Sequence, residues 1–113
     1  MLVLEDEAII LLDLELCLED AGARPLPASD LAGAMGLVED DPPDVAILDV
    51  SLAPGVTSRP VAERLIALGV PFLLHTGDNR VDRDWMEALG VPVLRKPVPS
   101  DEVVRRALAL LRA

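Results

Sequence analysis

Three scarcities narrow the reading before any motif is sought. No apolar run approaches the roughly 18 residues that a membrane-spanning helix needs. The chain opens Met1-Leu2-Val3-Leu4-Glu5-Asp6-Glu7, acidic where a secretion signal carries base. A soluble, untargeted protein with no membrane partner is expected. Cysteine is confined to Cys17, which excludes an internal disulfide and suits a reducing cytoplasm. Base is scarce too: 10 Lys and Arg stand against 20 Asp and Glu, a net charge of −10. That charge repels phosphate backbones and anionic lipid, so direct nucleic-acid binding is not expected.

What is present is 113 residues, 51% of them hydrophobic. One domain spanning 1–113 follows, large enough to bury roughly two-thirds of its unfolded surface. The charge is unevenly spread, with thirteen acids and only Arg24 among the bases in residues 1–58, against seven acids and nine bases in 59–113. Nine of the ten bases are arginine, so the sole lysine, Lys96, is not there for general solubility.

Four short apolar runs read as strands buried on both faces: Leu2 to Leu4, Val45 to Leu48, Val70 to Leu74 and Val91 to Leu94. Amphipathic stretches long enough for crossover helices separate them, which points to βαβ units and an α/β fold. The first helix is expected from about Glu7 to Ala21, stopped by Gly22. The second follows Ser29 as N-cap, and the third starts near Pro60. A short fourth contains Trp85, Met86 and Leu89. The fifth opens on Ser100-Asp101-Glu102 and buries Val104, Ala107, Leu108 and Leu111. Arg24-Pro25-Leu26-Pro27 reads as a further strand whose prolines confine it to a sheet edge. Ala67-Leu68-Gly69-Val70-Pro71 recurs as Ala88-Leu89-Gly90-Val91-Pro92, which is a helix-to-strand connection reached twice rather than a repeat architecture.

Each central strand runs out into polar residues at its C-terminal end: Glu5-Asp6-Glu7, Asp49, His75-Thr76-Gly77-Asp78 and Arg95-Lys96-Pro97. In an open parallel sheet these ends share one edge, the edge at which such folds bind ligands. Glu5, Asp6, Asp49, Thr76 and Lys96 are therefore expected around one crevice. Crowded carboxylates want either raised pKa values or a cation, and hard oxygen donors with room for phosphate suit Mg²⁺. Lys96 and the Thr76 hydroxyl would complete a cradle for a phosphoryl group.

With these motifs in order along the whole chain, the sequence resembles the response-regulator receiver domain of two-component signalling. The resemblance implies a doubly wound, flavodoxin-like parallel sheet of strand order 2-1-3-4-5. It implies that Asp49 accepts phosphoryl from a histidine kinase or histidine phosphotransfer protein. Mg²⁺ would be held by Glu5, Asp6, Asp49 and the Ser51 backbone carbonyl, with Thr76 and Lys96 on the phosphoryl group and Lys96-Pro97 cis. The protein would then be a stand-alone regulatory phosphoacceptor rather than an enzyme, losing its phosphoryl slowly and acting on an unknown downstream protein.

The departures define the open questions. Receivers commonly carry Tyr or Phe three residues before the lysine, where this chain has Val93. A subclass with a Phe-Ala-Thr-Gly motif lacks that switch similarly. The chain shares its Thr76-Gly77 and a Leu94-Arg95-Lys96-Pro97 ending, but has Leu74 and His75 in place of Phe and Ala. Without the aromatic, change on activation is expected in the loop and short helix from Gly77 to Leu89. Two other readings stay open. A small Asp-based phosphohydrolase would want a carboxylate where Ser51 stands, and a degenerate receiver would act as a phosphorylation-independent binding module.

Among single residues, His75 is expected to be a satisfied core or interface histidine, facing away from Thr76. Cys17 is expected in the core, and Ser51 and Asp78 lie where receivers position hydrolytic water. Ile10, Leu14, Cys17, Leu18 and Ala21 form a core stripe on the first helix. Ile9, Leu12 and Leu16 form a second, outward stripe beside Asp13, Glu15 and Asp20. Docking of the phosphodonor protein is its expected use, with homodimerisation as the rival.

Overall fold

Leu2, Val3 and Leu4 are each fully buried, as are Ala46 and Leu48, so these short runs have helices over both faces. The computed structural model describes residues 1–77 and 83–112. The parallel sheet comprises β1 (Leu2–Leu4), β2 (Leu26–Ala28), β3 (Ala46–Asp49), β6 (Phe72–Thr76) and β7 (Val93–Arg95), in the order β2-β1-β3-β6-β7. This is the expected 2-1-3-4-5 arrangement, with the Pro27-bearing strand at an edge.

Register sorts the side chains into two cores, because successive strand residues face opposite sides. Ala28, Leu4, Leu48, Leu74 and Val93 are aligned across the five strands. They pack under α2 (Leu31–Asp40), α3 (Arg59–Leu68) and α4 (Arg83–Leu89), with Trp85 partly buried against this layer. Val3, Ile47 and Leu73 face the other way, onto α1 (Ala8–Asp20) and α5 (Ser100–Ala109). Leu14, Leu18, Val103, Val104 and Ala107 close that core.

Helix ends follow local chemistry. Gly69 and Gly90 take positive φ values of 74° and 66°, so the repeated Leu-Gly-Val-Pro segment is the same left-handed helix exit twice. Pro60 lies in the first turn of α3 as expected. The α2 cap is Asp30 rather than Ser29, its carboxylate accepting from the Gly33 N–H at 2.7 Å. Leu111 is exposed, contrary to expectation: α5 ends at Ala109, and the tighter 3-10 turn Leu110–Arg112 swings it outward. Ala21, expected in the core stripe, is the exposed C-cap of α1. The outward stripe is as expected, with Ile9, Leu12 and Leu16 84, 56 and 52% exposed.

One element was not foreseen. After Asp49 the chain forms an antiparallel hairpin of β4 (Ser51–Ala53) and β5 (Val56–Thr57) around Pro54-Gly55, with Gly55 at φ 75°. Leu52 anchors it in the α2–α3 core. Pro-Gly between two short runs was the available signal. No described helix is long and apolar enough to cross a membrane.

Candidate phosphoacceptor and metal site

The sheet delivers its polar ends to one edge. Glu5 leaves β1 and Asp49 ends β3, and with Asp6 their carboxylates can offer oxygens all within 4.8 Å of one another. Glu5 and Asp49 are buried, whereas Asp6 is exposed. Lys96, one residue past β7, reaches in from the far side. Its Nζ lies 3.3 and 3.4 Å from the two Glu5 oxygens, 3.6 Å from Asp49 Oδ1 and 4.0 Å from Glu7 Oε1. The Glu7 backbone N–H also donates to Glu5, at 3.2 Å. Lys96-Pro97 is cis. Thr76 is buried at the end of β6, and its carbonyl accepts from the Lys96 backbone N–H at 2.6 Å, which ties β6 to the lysine.

Electrostatics follows from that crowding. Burial, a hydrogen bond with Asp6 and the charge of Glu5 push the Asp49 pKa up to about 8. Burial likewise raises Glu5, against the opposing pull of Lys96. For Lys96, burial alone would lower the pKa, but the Asp49 and Glu5 carboxylates overcome it and hold the ammonium above its ordinary value.

Ser51 begins the hairpin and, with Asp6 and the Pro54-Gly55 turn, lines a cleft of about 580 Å³ beside the carboxylates. Asp78 lies outside the described residues, as do 79–82 of the segment expected to move. Glu7 is a participant that sequence reasoning passed over, although its adjacency to Glu5-Asp6 was the signal. The carboxylate cluster fits a hard divalent cation: three oxygen donors lie within 4.8 Å of one another, and burial with the neighbouring carboxylates holds Asp49 well above the usual carboxylate range.

His75 departs from expectation. It is only 4% exposed, yet neither ring nitrogen has a hydrogen-bond partner among the described residues. Its strand position is in register with Asp49 on one side and Leu94 on the other, on the α1–α5 face. Burial and the nearby Lys96 charge push its pKa down to about 4, so the ring is neutral at pH 7. Unpaired buried groups cost about 1–3 kcal/mol. His75→Leu is therefore expected to raise stability at neutral pH by about that amount. An unchanged or lower urea midpoint would contradict bare nitrogens.

Comparison with known proteins agrees with this fold. No family model matches the chain. The solution structure of SdrG from Sphingomonas melonis Fr1 shares 39% identity with a TM-score of 0.73, over 99% of this chain and 94% of that one. The crystal structure of a response regulator receiver protein from Sinorhizobium medicae WSM419 shares 29% with a TM-score of 0.82, over 99% and 93%. The chain belongs to the response-regulator receiver family of two-component systems. The phosphate regulon transcriptional regulatory protein PhoB of Pseudomonas aeruginosa is 30% identical over 118 residues, and the chain spans about half (51%) of that relative's length.

Proposed function

We propose that residues 1–113 form one receiver domain in which Asp49 accepts a phosphoryl group from a phosphohistidine. The donor is a histidine kinase or histidine phosphotransfer protein in a cytoplasmic setting. Transfer depends on Mg²⁺, and the altered surface then acts on a downstream protein. One observation carries this reading: a nearly buried Asp49 stands against two more carboxylates and the chain's sole lysine.

In the transfer an Asp49 carboxylate oxygen attacks phosphorus in line. The P–N bond breaks, and its electron pair stays with the departing imidazole. The chain's task is to present an unprotonated carboxylate and to offset the charge of the incoming oxygens. Lys96 serves both ends, favouring ionised Asp49 from 3.6 Å and pairing with a phosphoryl oxygen. The Thr76 hydroxyl donates to a second oxygen. Mg²⁺, held by Glu5, Asp6, Asp49 and the Ser51 carbonyl, would supply the remaining positive charge and bring the Asp49 pKa down. Lys96 also pairs with Glu5, so an arriving phosphoryl oxygen competes with that carboxylate for the ammonium. Thr76-Gly77 and Leu94 to Pro97, with aliphatic Val93, support membership of the Phe-Ala-Thr-Gly subclass.

The outward α1 stripe supports an apolar docking site for the donor. Asp13, Glu15 and Asp20 beside it disfavour pairing with a second copy. Leu12→Glu is expected to slow transfer from a protein donor about ten-fold or more, the equivalent of roughly 1.4 kcal/mol. Labelling by a small phosphodonor should be unchanged. Radiolabel transfer rates test this: equal loss from both donors contradicts a surface role for Leu12, and undiminished transfer from the protein contradicts docking on this stripe.

A further inference from the structure

A groove on a different side of α1 belongs to no part of the phosphoacceptor site. α1 and α5 leave between them a cleft of about 490 Å³. Its apolar lining includes Cys17, Val104, Leu108 and Ala109, and Asp20 and Asp101 stand at its lips. A second cleft of about 320 Å³ adjoins it at Ala21 and Leu108 and runs past Arg24 and Asp44 to the exposed Leu111. At 100° per residue, Cys17 and Ala21 lie roughly a third of a turn from the Ile9-Leu12-Leu16 stripe. The groove floor and the stripe therefore face different directions, with Asp20 on the helix surface between them.

Charge identifies what fits. Arg105, the base in the first cleft, is committed to Glu102 at 3.0 Å, while Asp20 and Asp101 have no ion-pair partner among the described residues. The Cys17 thiol registers the resulting field. Burial raises its pKa, and the charges of Asp13, Asp101 and Asp20 raise it further. A second copy would set acid against acid on this face, whereas a cationic segment would neutralise the lips while its aliphatic side chains covered the floor.

We propose that the α1–α5 groove is a binding surface for an amphipathic protein segment that presents aliphatic side chains flanked by arginine or lysine. Such a segment lies along the groove with its apolar face on Val104 and Leu108 and its bases at Asp20 and Asp101. It shields Cys17. The site stands apart from phosphoryl acceptance and does not require it.

Cys17 is the only cysteine in the chain, so its alkylation reads occupancy directly. The probe is an 18-residue leucine–arginine peptide designed as an amphipathic helix, with a scrambled peptide of the same composition as control. With the full chain, the amphipathic peptide at about ten times its Kd should slow alkylation of Cys17 about ten-fold, and the scrambled peptide should not. The double variant Asp20→Arg, Asp101→Arg should abolish protection. The matched variant Asp40→Arg, Asp41→Arg, whose exposed acids lie at the end of α2, should retain it. Failure of the amphipathic peptide to protect would overturn the proposal, as would equal protection by both peptides or equal loss in both variants. Circular dichroism of each variant ensures that only folded chains are compared.

Discussion

Asp49→Asn is expected to accept no phosphoryl group and, without divalent cation, to be more stable than the parent above pH 8. The amide cannot form the acyl phosphate, so labelling should fall to background. The stability effect follows from linkage. Asp49 titrates near 8 in the folded chain, against an ordinary value of 3.8. The stabilisation from its protonated form is therefore fully present below pH 4 and is lost as pH rises through about 8. A span of about four units corresponds to an upper bound on the order of 5 kcal/mol. Glu5, also raised, adds to the same trend.

His75 opposes it over part of the range. Its folded pKa near 4 lies below the ordinary 6.5, so its contribution grows as pH rises from 4 to 6.5. In the parent the Asp49 and His75 slopes offset one another up to about pH 6.5, and stability then falls until about pH 8, where the Asp49 contribution levels off. In Asp49→Asn only Glu5 opposes the His75 rise, so the fall above pH 6.5 should be much smaller than in the parent. Urea titrations across pH 4–9 in a chelator check this, and a parent-like alkaline fall in the variant would contradict the raised Asp49 pKa.

Mg²⁺ is expected to stabilise the parent most at the pH where the metal-free chain is weakest. The ion and the proton compete for Asp49, so binding should release a proton at pH 7, and the Mg²⁺-induced rise in Tm should grow between pH 6 and pH 8.5. Mass action gives about 2.7 kcal/mol at a hundred times the Kd, a shift of about ten degrees for a domain of this size. Asp6→Asn should remove most of it, because the exposed Asp6 gives up a ligand without disturbing the core. A Tm unaffected by Mg²⁺ in the parent, or an equal response in Asp6→Asn, would contradict a cation held by this cluster.

Much of the architecture was legible in the sequence. Central parallel strands have no solvent face, so Leu2 to Leu4 and Ala46 to Leu48 stand out as unbroken apolar runs. The site was legible for the converse reason: polar residues that end such runs must cluster at one sheet edge. Details set by the assembled packing were hidden. Lys96 meets Glu5 more closely than Asp49, a contact across 91 residues of chain that no local pattern encodes. The β4–β5 hairpin is too short for alternation, and only Pro54-Gly55 marks its turn. His75 was expected to find partners, since buried polar groups usually do. Leu111 was read on an α-helical period that the 3-10 turn breaks.

The most direct test of phosphoryl acceptance at Asp49 is intact mass measurement of the wild-type chain after incubation with Mg²⁺ and a small phosphodonor such as acetyl phosphate. The account predicts one added phosphoryl mass, absent when a chelator replaces Mg²⁺, labile at alkaline pH as an acyl phosphate is, and mapped to the peptide containing Asp49. Unmodified mass under those conditions, or a phosphoryl group on any other residue, would contradict it.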